Sequence, residues 1–577
     1  MGLSSALNIG ASGLTASQLA IQITGNNLAN AATPGYSRQV AILQPSRTQM
    51  VGCLSLGSGV TLDHVRRQVD EALQSRLRDG LSQEAGAGQE FATLAAIESI
   101  LGELGDNDLS SELTEFFNTW SERANLIQSS AVVVQQGARL AGFMQRLRGD
   151  VLGQRDQIDR QLSTQAAAAD GLLNKIAALN ASIAEAGMGG GGTLRDQRDV
   201  ALAELAGLID ITVVEQESGA VNVLSGSTPL VLGSRSRGLE LVSRSGAAGA
   251  KGLEIAISVR EDGETLAVSS GSMGALLAQR SGAIDDTVAK LDAVAAALIH
   301  EVNRLHATGT NAAGLASATG TLSVPLADRT LAMNDPANAT CAGLAFQAVD
   351  GGFTVEVRGP GGARQTVRID VDCDGRNAAG DSGFDDDTSI EDIRAAIDGI
   401  DGLSATFTAD GRLDIKADTG FSFSFADDSA DVLATLGVNS YFTGNDASDI
   451  GVRAALSESP NLLTTGRMVN GQFVENGTAL AIAGLRDAAN AGLDGRSITS
   501  AWIDSVQRLG VKTDAASANA EAAATVREGL EAQRQSVSGV NIDEESVNLL
   551  TYQRQYQASA RLITVVDQLT QELLAIV

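Results

Sequence analysis

Positive charge, histidine, cysteine and long apolar runs are all in short supply in this chain of 577 residues. Forty-one Lys and Arg face 70 Asp and Glu, for a formal charge of −29. A phosphate backbone demands a basic footprint, so nucleic acid is excluded as a partner. The same balance disfavours an anionic membrane surface. There are three histidines and no Ser or Cys in a recognisable nucleophile motif, which leaves no nucleophile, base and orienter set and argues against an enzyme. Three cysteines, Cys53, Cys341 and Cys373, are too few and too scattered for a disulfide framework. A Cys341–Cys373 bridge and three separate thiols both remain open. No stretch approaches the ~20 apolar residues of a membrane helix, so membrane insertion is not expected. The first basic residue is Arg38, so the charged start of a secretory signal is missing and a cytoplasmic location is the plain expectation.

What is present is periodicity. Apolar residues make up 44% of the chain, enough for substantial cores. Leu7, Leu14, Ile21 and Leu28 recur every seven residues, with Leu3, Gly10, Ser17, Thr24 and Ala31 between them. Near the other end Leu549, Tyr552, Tyr556, Ser559, Ile563, Val566, Thr570, Leu573 and Val577 keep the same beat. Sustained spacing of about 3.5 residues marks helices that coil on a partner. The first run stops at Thr33-Pro34-Gly35, which suits a type II turn. The last starts after Gly539, with Asn541 as cap and Glu544 completing a capping box. It would run roughly 55 Å to the end of the chain.

Between the ends the pattern is helical from about Val65 to Gly187, with breaks near Gly102–Asp108 and Ala124–Ser130 and a proline-free run over Ala131–Ala186, and Gly187–Gly192 reads as a flexible joint. A helix over Leu194–Leu208 precedes short strands up to Ser269. Helix returns at Met273–His306 and from Ala479 onward. Residues 310–450 are β-rich, with a hairpin of Phe353–Arg358 and Gln365–Val371 around Gly359–Gly362, a short helix at Ile390–Ile400, and strands at Ser404–Thr408, Arg412–Lys416 and Phe421–Phe425. The fold class expected is multidomain α+β: paired terminal coiled-coil helices, a long-helix bundle, and inserted β-rich outer domains. The boundaries read as 1–45 with 541–577 for the terminal assembly part, 46–208 with 271–309 and 470–540 for the helical body, and 209–270 with 310–469 for the β insertions.

Two metal patterns are present in part. His300-Glu301-Val302-Asn303-Arg304 lacks the second histidine of a zinc site, and His306 lies about 240° round the helix from His300. Asp370, Asp372, Asp374 and Gly375, with Asp381 at the twelfth position, follow calcium-loop spacing without the final Glu and after a strand. An acidic solvated turn is the alternative. No cofactor is expected.

The segment Asn26-Asn27-Leu28-Ala29-Asn30-Ala31-Ala32-Thr33-Pro34-Gly35-Tyr36-Ser37-Arg38 resembles the N-terminal signature of the bacterial flagellar axial family. Ser538-Gly539-Val540-Asn541-Ile542-Asp543-Glu544-Glu545, continuing through Tyr552-Gln553-Arg554-Gln555-Tyr556, resembles its C-terminal end. The Asp-Glu-Glu run, Phe116-Phe117-Asn118-Thr119-Trp120, Leu194-Arg195-Asp196-Gln197-Arg198-Asp199, and Leu291-Asp292 through Val302-Asn303 to His306 are similar to the first hook-associated members, which join hook to filament. The resemblance implies a structural subunit exported unfolded and placed outside the cell, at the hook–filament junction of the flagellum. It implies self-association into a layer, contact with the hook protein and with a second junction protein on the filament side, and an export chaperone on the C-terminal helix, for which Leu562, Val566, Leu569, Leu573 and Ile576 offer an apolar stripe. The alternatives are a hook or distal-rod subunit, or an adhesin or enzyme insert on an axial scaffold.

The assembly residues expected are Leu7, Leu14, Ile21, Leu28, Asn30, Thr33, Pro34, Gly35, Tyr36, Asn541, Tyr552, Tyr556, Ile563, Val566 and Leu573. The three tyrosines read either as ligand contacts or as packing at the base of the assembly. Small seam residues make an isolated terminal helix marginal. The expectation is that these segments order on assembly and partner neighbouring copies more than each other, the alternative being an ordinary intramolecular pair.

Overall fold

Helix starts follow the local chemistry that the sequence offers. In the computed structural model, Asp70 Oδ1 accepts from the N–H of Ala72 (3.0 Å) and Leu73 (3.1 Å) and opens a helix over Glu71–Leu101. Asp108 does the same for Leu109–Ala124 through the N–H of Ser111. The structure describes the whole chain except residues 1, 52–53, 103–107, 188–190, 246–252, 378 and 577. Cys53 and the middle of the glycine joint lie outside the described residues.

The main helices are α1 (Gly2–Ala29), α2 (Glu71–Leu101), α3 (Leu109–Ala124), α4 (Ser130–Ala186), α5 (Gly192–Leu208), α6 (Gly271–Ser281), α7 (Ala283–Ala307), α8 (Ile390–Asp398), α9 (Gly477–Gly484), α10 (Ile498–Ser538) and α11 (Ile542–Ile576). The chain divides into two units. One comprises 1–93, 157–280 and 514–577, the other 94–156 and 281–513. The proline-free α4 buries Leu140, Met144, Leu147, Val151, Ile158, Leu162, Ala169, Leu173 and Ile176 along one stripe at steps of three, four or seven residues.

In the first unit α1 packs along α11, and an antiparallel pair of strands, Gln39–Pro45 and Val60–Arg67, follows α1. A four-stranded antiparallel sheet (Thr212–Glu215, Val221–Ser225, Thr228–Leu232, Arg235–Ser236) and a three-stranded one (Leu239–Ser245, Leu253–Val259, Thr265–Leu266) complete it. Leu73, Leu77 and Leu530 bring α2 against α10.

In the second unit the hairpin pairs Gly351–Arg358 with Arg364–Val371, and Ser422–Ala426 adds on the other side. A second sheet joins Ser317–Thr319, Leu413–Ala417 and Leu403–Phe407. Both contribute to one core with α8, containing Phe353, Val355, Ile369, Ile393, Ile397, Ile415, Phe423 and Phe425. The fold is multidomain α+β, as expected.

Two helix expectations need correction. The run over 273–306 is two helices, divided at Gly282, whose φ of −101° and ψ of −85° are not helical. From 479 onward the chain is not continuously helical. After α9 come turns and a 3₁₀ turn at Ala491–Leu493, closed by a bridge between Asn490 and Arg496 with Asp494 at φ +55°. Positive φ at Asp494 and Gly495 ends any helix there.

Candidate assembly interface

The seam that α1 closes on α11 is built from small residues. Gly10, Ala16, Ser17, Ala20, Thr24 and Asn27 are the buried positions of α1. A Cβ at Gly10 would stand 2.9 Å from Ile563 Cγ1, and one at Gly13 would stand 2.8 Å from Ser559 Oγ. Close approach therefore needs glycine at these two crossings. Gly10, Ser17 and Thr24 were the expected alternate positions. The leucine line beside them is turned away: Leu14 and Ile21 are half-buried, and Leu7 and Leu28 are exposed. On α11 Val566 is buried and Ile563 and Tyr552 are half-buried, whereas Tyr556, Leu562, Val565, Leu569, Leu573 and Leu574 are exposed. The Ile576 side chain lies outside the described residues.

Within one chain the structure pairs the two ends with each other. The physical reason is that the small-residue stripe lets two helices meet closely. That contact leaves the bulky residues of both helices only partly covered.

At the base of the pair a polar lock joins both ends. Asn27, 1% exposed, uses both halves of its amide. Nδ2 donates to Gln39 O (2.8 Å) and Glu545 Oε2 (3.0 Å), and Oδ1 accepts from Tyr36 Oη (2.9 Å) and the Gln39 N–H (3.0 Å). Arg38 donates from Nε to Glu545 Oε1 at 2.8 Å and from Nη1 to Glu544 Oε2 at 3.1 Å. Burial, with the carboxylates of Asp196 and Glu545, pushes the Tyr36 phenol up to about 12, so it stays a donor.

The turn expected at Thr33-Pro34-Gly35 is present. The Tyr36 N–H bonds Thr33 O at 3.2 Å, and Gly35 has φ +77°, as a type II turn requires at that place. A side chain at Gly35 would strike Val200 of α5. Asn30 ties the end of α1 to this turn, donating to Asn26 O (3.0 Å) and accepting from Thr33 Oγ1 (3.2 Å). Asn541 caps α11 by accepting from the N–H of Asp543 and Glu544. The reciprocal half of the capping box is replaced: the Glu544 carboxylate goes to Arg38.

The motif at 194–199 is the neighbouring clamp. Arg67 holds Asp196 at 2.9 Å and also pairs with Asp199. Burial works against the Arg67 charge, but Asp199 and Asp196 outweigh it and hold the guanidinium above its usual value. Arg198 is buried and bonds Asn180 Oδ1 (3.1 Å) and Gly219 O (2.7 Å). Sequence reasoning missed Gly13, Ala20 and Arg67, and quoted Asn27, Arg38 and Glu545 in the end motifs without giving them a place in the interface. The stripe 10, 13, 17, 20, 24, 27 was the available signal, because small residues repeat along it at three- and four-residue steps.

In the second unit the aromatic motif is core. Phe116, Phe117 and Trp120 are fully buried beside Tyr441 and Phe442. Asn303 Oδ1 accepts from the N–H of Tyr441 (2.9 Å) and Phe442 (2.8 Å). His306 is buried against Asn439 O, and burial pushes its imidazole down to about 3. His300 lies instead beside Phe346 and Asp431.

The four calcium candidates are not brought together. Asp370 is on the exposed side of its strand, paired with Arg368, and Asp381 sits in a turn with Asn377. Asp372 and Asp374 converge with Asp387. Cys341 is buried and Cys373 half-buried, both as free thiols.

Sequence comparison places these features in a family context. Residues 94–321 match the flagellar hook-associated protein FlgK helical domain. Residues 7–36 match the flagella basal body rod protein family, and 531–576 match the flagellar basal body rod FlgEFG protein C-terminal family. The chain is 28% identical over 252 residues to flagellar hook-associated protein 1 of Salmonella typhimurium, covering 42% of this chain and 45% of that one. It is 28% identical over 219 residues to the protein of that name from Bacillus subtilis, covering 36% and 43%. The matched stretch is thus less than half the length of either relative. Among solved structures it is similar to the flagellar hook junction protein FlgK from Burkholderia pseudomallei, with 17% identity, a TM-score of 0.48, and coverage of 80% of this chain and 100% of that one. The match to the FlgK helical domain thus lies between two ends that match flagellar rod families.

Proposed function

We propose that this chain is a structural junction subunit of the bacterial flagellum, assembled between hook and filament through α1 and α11. The observation that carries the proposal is the small-residue seam of the α1–α11 pair, which leaves Leu7, Leu28, Leu562, Leu569 and Leu573 exposed on two helices that match axial-family ends. Half-covered leucines on paired helices suit a second layer of contacts with copies of the same chain. The match over 94–321 favours a junction subunit over a hook or rod subunit, since the rod-family models cover the ends alone. In this reading segments 1–45 and 541–577 form the assembly part, and the sheets of 209–270 and 310–469 face outward. The hook protein lies on one side and a second junction protein on the other. The stripe Leu562, Val566, Leu569 and Leu573 also suits an export chaperone before assembly. The role needs no catalysis.

Deleting the gene tests it. The expected phenotype is hooks without filaments, with filament protein released into the medium. Normal filaments in the deletion strain would overturn the proposal.

A further inference from the structure

The strand Arg364–Val371 ends in a loop that returns to α8 at Ser389, and the base of that loop is tied at several points. The Thr388 N–H bonds Asp372 O at 2.7 Å, the Asp372 N–H bonds Thr388 Oγ1 at 2.9 Å, and the Met333 N–H bonds Thr388 O at 3.0 Å. Asp372, Asp374 and Asp387 each bring one carboxylate oxygen to within 4.8 Å of the others. Three carboxylates alone would be an ordinary acidic loop. Two further atoms make the difference.

Asp387 is 6% exposed. Its Oδ2 is satisfied, accepting from Asn334 Nδ2 at 2.7 Å and the Gly375 N–H at 3.1 Å. Its Oδ1 is buried and has no hydrogen-bond partner among the described residues. Asn334 repeats the pattern. Its donor half is spent on Asp387, which fixes the orientation of the amide, and its Oδ1 is also buried without a partner. A buried acceptor left unmatched costs about 1–3 kcal/mol, and more when charged. Two such acceptors on hydrogen-bonded neighbours, beside two more carboxylates, form a site that calls for positive charge.

The basic side chains nearest in sequence are committed elsewhere. Arg368 pairs with Asp370, and Arg376 donates to Gly380 O. Cys373, between two of the aspartates, packs against the apolar core.

We propose that Asp372, Asp374, Asp387 and the Asn334 carboxamide oxygen bind a calcium ion. The donor set is all oxygen, which suits a hard cation and not zinc or copper. The three carboxylate oxygens lie within 4.8 Å of one another, no farther apart than about twice a Ca–O distance of 2.3–2.6 Å, close enough for one ion to touch all three. An irregular loop with four protein oxygens leaves room for water and suits the flexible coordination of calcium better than the strict octahedron of magnesium. The inference is independent of the junction role. It also differs from the D-x-D-x-D-G reading of the sequence, since Asp370 and Asp381 take no part.

The test is isothermal titration of the metal-stripped full chain with calcium chloride and, in parallel, magnesium chloride. Wild type should show one saturable calcium site in the ~10⁻⁵–10⁻³ M range. Asp374→Asn and Asp387→Asn should each weaken it at least ~10-fold, the loss of one anionic ligand from a set of few. Asp374 is exposed, so that variant should match the circular dichroism of wild type in chelator and keeps the test valid if Asp387→Asn misfolds. No saturable binding up to ~10 mM, above the weakest range of extracellular calcium modules, would overturn the site. So would undiminished binding by Asp374→Asn, or equal affinity for magnesium.

Discussion

Asn27 and Glu545, 518 positions apart in the chain, share a buried hydrogen bond of 3.0 Å. Both side chains are almost fully covered. The bond lies where the last turn of α1 meets the first turn of α11, and Arg38 closes it from the other side. The two ends are thus fixed to each other by chemistry at the base of the pair, while the rest of the seam is held by shape.

Glu545→Ala should loosen this base. It leaves the Asn27 amide and the Arg38 guanidinium short of an acceptor, and breaking a buried charged pair costs about 3–5 kcal/mol. The expected result is faster hydrogen exchange over 25–40 and 540–550. Glu544→Ala should cost under about 1 kcal/mol, because the Glu544 side chain is 59% exposed. Equal effects of the two substitutions would contradict the lock.

Gly13→Val should separate the helices further along. Its Cβ would meet Ser559 Oγ at 2.8 Å and Ser559 Cβ at 3.6 Å, and the branched methyls add bulk at that crossing. Higher helix propensity than glycine offsets less than ~1 kcal/mol. Exchange protection near 13–20 and 555–566 should fall with the Asn27 lock intact. Unchanged protection would show that the seam admits a side chain there without parting.

The outward leucines should matter only after assembly. Leu7, Leu569 and Leu573 are 42%, 46% and 52% exposed, so covering the remainder is worth about 1 kcal/mol each. Leu569→Ser with Leu573→Ser should leave the circular dichroism of the monomer unchanged and abolish filament formation in a complemented deletion strain. In the monomer, residues 567–575 should exchange rapidly and faster than 555–566, since none of their side chains is buried. Strong protection there in the monomer would count against ordering on assembly.

Local chemistry was legible in the sequence where it acts over a few residues. Thr33-Pro34-Gly35 dictates its turn through one φ and one hydrogen bond, and Asn541 caps its own helix. The hairpin around 359–362 followed from glycines and alternation. What escaped was partnership at a distance. The leucine line was the loudest apolar signal in α1, yet the closest helix approach selects the quieter stripe through Gly10 and Gly13. Asp370 failed as a ligand because strand alternation puts it opposite buried Ile369 and Val371. Asp387 lies at the far end of the same loop, beyond the twelve positions of the spacing rule, and Asn334 reaches it from a separate segment.

Gly137→Ala should be strongly destabilising for a helix-favouring change. An added Cβ would occupy the place of the Tyr441 hydroxyl, whose hydrogen bond to Val133 O is 2.7 Å and fully buried. Overpacking costs about 1–3 kcal/mol, and an orphaned phenol adds a similar amount. Thermal unfolding followed by Trp120 fluorescence should shift down by several degrees. A second change, Tyr441→Phe, should recover part of the loss, since it removes the oxygen that the new methyl strikes. No rescue would mean that the helix backbone, and not the ring, is the strained partner.

Acid should weaken the second unit, with a slope set by a buried imidazole and a half-buried carboxyl of opposite sense. His306 titrates near 3 when folded and near 6.5 when unfolded. The unfolded chain therefore binds the extra proton between those values, and stability is lost as pH falls through that window, at most about 1.4 kcal/mol per unit. Burial raises Asp428 to about 6, against the opposing pull of the Leu433 and Ala430 N–H groups. For that carboxyl the folded state binds the proton first, so its contribution grows as pH falls from about 6 to 4. Denaturant midpoints read from tryptophan fluorescence should thus drop between pH 7 and 6 and then flatten. In Asp428→Asn the compensation is gone and the decline should continue to pH 4. In His306→Gln the initial drop should vanish. A His306→Gln profile that still falls between pH 7 and 6 would assign the acid sensitivity to other groups.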